Sequence, residues 1–277
     1  MKKIIVPIDF SEHSEYALET AASIAKKHNS ELIVLHMLEL SNAVYTASRS
    51  SIGEEAVFYL KLAEQKMSKF LDRRFLEGLE ITPVIKHFKV FKEINEIVDE
   101  QQIDLIVMGS HGASGVKEVI IGSNAEKVVR HSTIPVLIVK QNPILVEFNT
   151  AIFASDFSEE VIEAYLKAKT VFDKLDATMN LIYINTPDTS FKSSVEIDRL
   201  VSSFLKKADG NLESLPDVHV VSDYSVEQGI LNFSKNIGAD LIGVATHGRK
   251  GLSHFFEGSI SEDIANHSTL PVMTFKI

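Results

Sequence analysis

The 277-residue sequence contains no cysteine. Disulfide bonds, thiolate nucleophiles and thiolate metal sites are therefore excluded. No apolar run approaches the roughly 18–20 residues that a membrane-spanning helix needs. The apolar stretch near the start of the chain ends early, at Asp9, which is not the pattern of a secretory signal. These absences predict a cytoplasmic protein with no membrane partner.

Basic residues are also in short supply. The chain has 28 lysines and arginines against 38 aspartates and glutamates, and its formal net charge is -10. Binding to a phosphate backbone needs clustered basic side chains, so no nucleic-acid partner is predicted. The ten histidines include no His-Glu-x-x-His motif and no close pair at ligand spacing, so no metal site is predicted. A local anion site built on backbone amides does not depend on the net charge.

The chain does contain an internal repeat. Ile5–Ser11 matches Ile152–Ser158 at an offset of 147. Asp104–Lys140 matches Asp240–Lys276 at an offset of 136, with 15 identities in 37 positions. The second copy is therefore 11 residues shorter, and the pattern assigns the loss to a loop and to the second helix.

The repeat predicts two domains, because the length suits two units of about 100–150 residues with separate cores. We place the first domain at 1–140 and the second at 150–277. The residues between them, 141–149, are short and fairly apolar, which predicts a packed connector.

Short apolar runs and amphipathic stretches alternate along each copy. Ser11 is predicted to cap the first helix, and a Ser- and Ala-rich loop is predicted over 41–52. The alternation predicts an α/β fold, with an open parallel five-stranded sheet and helices on both faces in each copy. The predicted strands of the first copy are 3–8, 31–37, 81–88, 104–109 and 135–139, and the predicted helices are 12–28, 54–77, 91–101 and 122–131.

Ligands of such sheets bind beyond the carboxyl ends of the strands, where the strand order reverses. Asp9 and Asp156 follow the first strand of each copy and offer a carboxylate to ribose hydroxyls or an amine. Helix capping explains them equally well. Met37 and Ile184, at the end of the second strand, are suited either to cover a flat base or to fill the core.

A glycine-rich segment follows the fourth strand. Gly109 and Gly112 come first, and nine residues separate Gly112 from Gly122-Ser123. This pair opens a helix, and a helix N-terminus attracts phosphate. A left-handed backbone would explain the need for glycine at the first position. The second copy repeats the spacing with Ala245, Gly248, Gly258 and Ser259.

The loop is neither of the commoner phosphate loops. It lacks the Gly-Lys-Ser/Thr ending of the P-loop, and no Gly-x-Gly-x-x-Gly follows the first strand. His111 and His247 lie within the loops without an acidic partner in sequence, so packing or a loop hydrogen bond is favoured over catalysis. His131 and His267 are predicted to end a helix, where the dipole favours them. No catalytic residue is predicted.

Taken together, these segments resemble the universal stress protein family, over essentially the whole chain. Its ATP-binding subgroup carries Gly-x-x-Gly, nine residues, then Gly-Ser/Thr. The family domain also begins with Val-Pro-x-Asp, seen here from Val6 to Asp9, and ends with Pro-Val and three apolar residues, seen here as 135–139. The resemblance implies a fold like that of the adenine nucleotide alpha hydrolases. It also implies an intrachain pseudo-dimer in which 135–139 pairs with 271–275, with further homodimerisation left open.

The resemblance also implies ATP as the ligand, with or without magnesium. The strand that contains Pro7 leads to Asp9, which would meet the adenosine. Met37 and Met108 would lie on either side of the base. Gly109 and Gly112 would line the loop, and the remaining site residues would hold ribose or phosphates: Gly122, Ser123 and Asn124.

The second copy departs from this pattern. Ala245 replaces the first loop glycine and Ala154-Ser155 replaces Pro7-Ile8. Asp156, Ile184, Gly248, Gly258 and Ser259 keep their positions, which leaves a second, altered site as an open alternative.

The leading hypothesis is an ATP-binding regulator of the stress response with little or no turnover. The alternatives are a slow ATP-hydrolysing enzyme and an interaction module that binds no nucleotide.

Overall fold

The computed structural model describes residues 1–38, 49–87, 90–110, 122–140, 147–246, 264 and 267–277. Contacts divide the chain into two compact units. One holds nearly all of residues 1–146 and the other includes 147–277. Each unit is an α/β domain.

The first domain has parallel strands in the order β3-β2-β1-β4-β5. All positions of β1 after Lys3 are buried, as expected of a strand covered on both faces by other elements. The elements are β1 (Lys3–Ile8), α1 (Glu12–His28), β2 (Glu31–Leu38), α2 (Arg49–Leu71), β3 (Ile81–His87), α3 (Val90–Gln101), β4 (Leu105–Gly109), α4 (Ser123–His131) and β5 (Val136–Val139).

The second domain repeats this arrangement, with the strand order β10-β9-β6-β7-β8. Its second helix has 15 residues where α2 has 23, so this helix accounts for eight of the eleven missing residues, as the prediction for the helix requires. The elements are β6 (Thr150–Ala154), α5 (Ile162–Lys174), β7 (Thr178–Asn185), α6 (Ser194–Ala208), β8 (Val218–Ser222), α7 (Val226–Ile237), β9 (Leu241–Thr246) and β10 (Val272–Lys276).

The limits predicted for the second helix were wrong at both ends. α2 begins at Arg49, inside the predicted loop 41–52, and it ends at Leu71 rather than at residue 77. At the end of α2, Arg73 adopts an extended backbone and its Nε donates to Glu15 Oε1 at 2.6 Å. This ion pair to α1 competes with continuation of the helix. At the N-terminal end of α2, the loop was expected from the Ser- and Ala-rich composition alone. Both residues are compatible with a helix.

Single side chains fix two local features of the first domain, the start of α1 and the entry of β1 into the sheet. Ser11 caps α1 as predicted, because its Oγ accepts the Ser14 N–H. Asp104, the first residue of the repeated segment Asp104–Lys140, has a role that sequence analysis missed. Asp104 accepts the backbone N–H groups of Lys2 and Lys3, and thereby joins the start of β4 to the start of β1.

No helix in the described part of the chain combines the length and the apolar character of a membrane span.

Candidate functional site

A crevice is expected where the strand order reverses, between the carboxyl ends of β1 and β4. The ladder between β1 and β2 covers the whole strand, from Lys3 to Ile8. The ladder between β1 and β4 includes only Ile4 with Leu105 and Ile5 with Ile106. β1 and β4 are therefore paired with each other at their beginnings but not toward their carboxyl ends.

Pro7 accounts for this early end of the ladder. The Lys3 carbonyl accepts the Asp104 N–H, and every second residue of a strand faces the same neighbour, so Pro7 also faces β4. Proline has no N–H to donate to a ladder. The second domain has Ala154 at this position, and its ladder continues to the pair Ala154 and Val244.

Asp9 lies just beyond β1 and is partly buried. Its Oδ1 accepts the Ser11 N–H at 3.0 Å and the Ser14 hydroxyl at 2.6 Å. These bonds belong to the N-terminus of α1, so the capping interpretation has direct support. Asp156 repeats the first bond, with Oδ1 accepting the Ser158 N–H at 2.9 Å.

The residue after each aspartate has a left-handed backbone, which sequence analysis missed. Phe10 has φ 66° and Phe157 has φ 56°. The left-handed region costs a residue with a side chain about 1–2 kcal/mol. Both copies accept this cost at the same position, and such strain is often found at functional sites. Phenylalanine carries no sequence signal for this conformation, because glycine and asparagine are its usual occupants.

Gly109 ends β4 without a positive φ, so a left-handed backbone does not explain the need for glycine there. A Cβ at Gly109 would lie 2.7 Å from the carbonyl oxygen of His13 and 2.8 Å from its carbonyl carbon. The glycine is therefore needed because α1 approaches β4 closely.

The second domain holds Ala245 at the corresponding position, fully buried. Two differences accompany the alanine. The first turn of the corresponding helix is a 3-10 turn, Glu159–Val161. The close approach lies two residues earlier in the strand, where a Cβ on Gly243 would be 2.7 Å from Cζ of Phe172. Ala245 is thus part of a different helix-to-strand packing.

The two ends of the glycine-rich segment meet. The buried Ser110 accepts the Gly122 N–H on its carbonyl oxygen at 2.7 Å and donates its own N–H to Val139. α4 then begins with Ser123 and Asn124, both exposed, and its cap residue has no side chain to occupy the N-terminal amides. The other loop residues singled out from the sequence lie outside the described residues: His111, Gly112, His247, Gly248, Gly258 and Ser259.

The apolar residues expected to contact a base are mostly buried. Met37 is 8% exposed and Met108 is 5% exposed. Ile184 is 2% exposed and packs against α7, since a Cβ on Gly229 would be 2.8 Å from its Cγ2. The packing explanation is sufficient for Ile184, whereas the two methionines retain a small exposed edge.

Histidines and acidic residues do not form a metal site in the described part of the chain, where no cluster of three or more occurs. His131 is the last residue of α4, as predicted for a residue favoured by the helix dipole. His267 has its Nδ1 paired with the carboxylate of Glu227. His36, on β2, directs its Nδ1 to the Ile8 carbonyl at 3.0 Å, and burial lowers the pKa of its imidazole.

Comparison with known proteins agrees with this architecture. A universal stress protein of Methanocaldococcus jannaschii is 32% identical over 154 residues, which are 50% of this chain and 95% of that protein. The universal stress protein YxiE of Bacillus subtilis is also 32% identical, over 50% of this chain and 98% of that protein. Each of these relatives matches about one half of the chain.

Solved structures extend the likeness to both halves. A universal stress protein from Archaeoglobus fulgidus is similar over 99% of this chain and 96% of its own, with a TM-score of 0.63 and 25% identity. A putative universal stress protein from Pseudomonas aeruginosa has a TM-score of 0.64 at 17% identity, which supports the fold alone. The profile of the universal stress protein family matches residues 1–140 and again 147–276. The chain therefore belongs to the universal stress protein family and contains its domain twice.

Proposed function

We propose that the first domain binds ATP in the crevice between β1 and β4, and that binding serves a regulatory role in the stress response rather than catalysis. The observation that carries the proposal is the early end of the β1–β4 ladder at Pro7. It leaves the ends of β1 and β4 unpaired with each other, with Asp9 on one side and the start of α4 on the other. The family's motif at Gly109, Gly122 and Ser123 makes ATP the expected nucleotide.

The groups around this crevice suit a nucleotide. The amides at the start of α4 and the exposed Ser123 hydroxyl are donors for phosphate oxygens, and the helix dipole adds to the attraction. Asp9 is an acceptor for ribose hydroxyls. Met37 and Met108 supply an apolar edge for the base. Magnesium would arrive with ATP, because the described residues offer no cluster of ligands for the free ion.

Turnover needs a general base or a phosphate-binding lysine, and we assign neither. The carboxylate oxygen Oδ1 of Asp9 already accepts two hydrogen bonds from the start of α1. We therefore propose binding with little or no hydrolysis, and keep slow hydrolysis as a measurable alternative.

The second domain is proposed to bind ATP more weakly or not at all. Its strand ladder between β6 and β9 continues to Ala154, at the position where Pro7 ends the ladder in the first domain. Ile184 also contacts α7 instead of presenting a free surface. Calorimetric titration of the full chain with ATP is expected to give one strong site per chain. Two equal sites would contradict the difference between domains, and the absence of saturable binding would favour the interaction module.

Replacing Ser123 by aspartate is expected to change ATP affinity and protein stability in opposite directions. A negative charge in the first turn of α4 stabilises the helix by about 0.3–1 kcal/mol through its dipole. The same charge repels phosphate, so ATP affinity is expected to fall at least about tenfold, which is about 1.4 kcal/mol. Calorimetry measures the affinity, and thermal unfolding measures the stability.

Ser194→Asp is the matched control. Ser194 is the first residue of α6, whose cap is the Ser193–Glu196 capping box, and it lies in the second domain. This variant should keep the wild-type affinity for ATP. If both variants bind like the wild type, the phosphates do not contact α4 and the proposed site is wrong. Phosphate release by the wild type above the buffer rate would instead support the enzyme alternative.

A further inference from the structure

The turn that follows β1 brings Asp9 to the crevice. The next residue, Phe10, has a backbone conformation that phenylalanine does not favour. Ile8 is the last residue of β1, Asp9 follows it, and Phe10 has the left-handed φ of 66° before α1 begins. Phenylalanine does not choose this conformation by itself. The bond from the Ser11 N–H to Asp9 spans the turn, and contacts from outside the turn add to its support.

His36 makes two such contacts, one on each side of Asp9. Its Nδ1 donates to the Ile8 carbonyl at 3.0 Å, and because a carbonyl only accepts, Nδ1 carries the proton. Its ring lies 4.3 Å from the ring of Phe10, measured between centroids. Phe70 of α2 contacts the same phenylalanine edge-on, at 5.6 Å, so the ring is held between β2 and α2.

The second domain keeps the turn but supports it differently. Phe157, at the position of Phe10, is again left-handed, and Tyr183 stands where His36 is. Tyrosine has no nitrogen to offer the strand, and the N–H of Phe157 is instead bonded to Ser155 Oγ at 2.9 Å. The left-handed backbone and the bond from serine to aspartate are common to the two copies, and the contacts that reach the turn from outside have changed.

We propose that His36 is a positioning residue of the first-domain site: its bond to the Ile8 carbonyl and its ring contact with Phe10 help to fix the turn that presents Asp9 to the adenosine of the bound nucleotide. The inference rests on the proposed ATP site. His36 itself does not touch the ligand in this proposal. Burial lowers the pKa of its imidazole, which favours the neutral ring and suits a group that acts through one N–H and a ring contact.

A double-mutant cycle between His36 and Asp9 tests the proposal. His36→Leu removes both contacts, and Asp9→Asn keeps an oxygen for the cap of α1 while it removes the charge. His36→Leu is expected to weaken binding of ATP and of adenosine by the same factor, about tenfold, which lies within the coupling seen for residues that act together. In the Asp9→Asn background the same change should cost less than about twofold, because there is no carboxylate left to position.

Two further variants exclude a merely structural effect. His36→Asn puts an amide N–H where Nδ1 stood, and it should recover part of the affinity that His36→Leu loses. Tyr183→Phe is the matched change in the second domain and should leave the strong site unchanged. Circular dichroism at the titration temperature establishes that each variant is folded.

The outcomes are distinguishable. Wild-type protein that binds no ATP overturns the proposed function, and the role of His36 with it. Wild-type binding combined with fully multiplicative effects of His36→Leu and Asp9→Asn overturns the positioning role alone. The positioning role is also overturned if folded His36→Asn binds ATP no better than His36→Leu, or if His36→Leu binds ATP like the wild type.

Discussion

Gly109→Ala is expected to lower the free energy of unfolding by about 1–3 kcal/mol, the usual cost of an added methyl group in a packed interior. The new Cβ would lie 2.7 Å from the carbonyl oxygen of His13, and backbone of α1 cannot move aside as a flexible side chain can. α1 would have to shift away from β4. Because α1 begins beside Asp9, affinity for ATP should fall as well.

Urea denaturation measures the loss of stability, and amide hydrogen exchange in β4 and α1 assigns it to the first domain. The second domain provides the control. Ala245→Gly relieves no clash, because alanine is already accommodated there, and it adds a flexible glycine to a strand. It is expected to cost about 0.5–1 kcal/mol and to leave ATP binding unchanged. Equal stability of Gly109→Ala and the wild type would mean that α1 does not depend on this close approach.

Asp104→Ala is expected to destabilise the first domain by about 2 kcal/mol, the order of magnitude for hydrogen bonds to a charged group. The carboxylate Oδ2 accepts the N–H groups of both Lys2 and Lys3, the second at 3.1 Å. Alanine leaves these donors without their acceptor at the point where β1 enters the sheet. Exchange of the β1 amides should therefore accelerate more than exchange elsewhere in the domain.

Asp99→Ala provides the control for charge, since Asp99 is an exposed residue of α3. Its stability should stay within about 0.5 kcal/mol of the wild type. Asp104→Asn retains one side-chain oxygen and should fall between the wild type and Asp104→Ala. If Asp104→Ala behaves like Asp99→Ala, the aspartate does not hold the two strands together. The second domain repeats the arrangement with Asp240, which accepts the N–H groups of Asn149 and Thr150.

Much of the fold could be predicted from the sequence, because buried parallel strands appear as continuous apolar runs. β1 was predicted with the limits that the structure has, and so was α1, whose cap at Ser11 is a local hydrogen bond between near neighbours. The repeat made the second domain predictable from the first. These features depend on short stretches of chain, which a sequence displays directly.

Two of the predictions that failed, for the end of α2 and for Gly109, depend on contacts between distant residues. The end of α2 is influenced by the pairing of Arg73 with Glu15, 58 residues earlier. The need for glycine at position 109 comes from His13, and a glycine alone does not reveal whether it serves a turn or a close approach. For the candidate site, the strand ends and the start of α4 were predictable, whereas the left-handed Phe10 was not.

The bond between Ser110 and Gly122 has a consequence for how the site can change. The Gly122 N–H donates to the Ser110 carbonyl at 2.7 Å, so the end of β4 and the start of α4 are joined directly. A substitution that disturbs either anchor therefore alters both the edge of the sheet and the helix N-terminus that is proposed to receive phosphate.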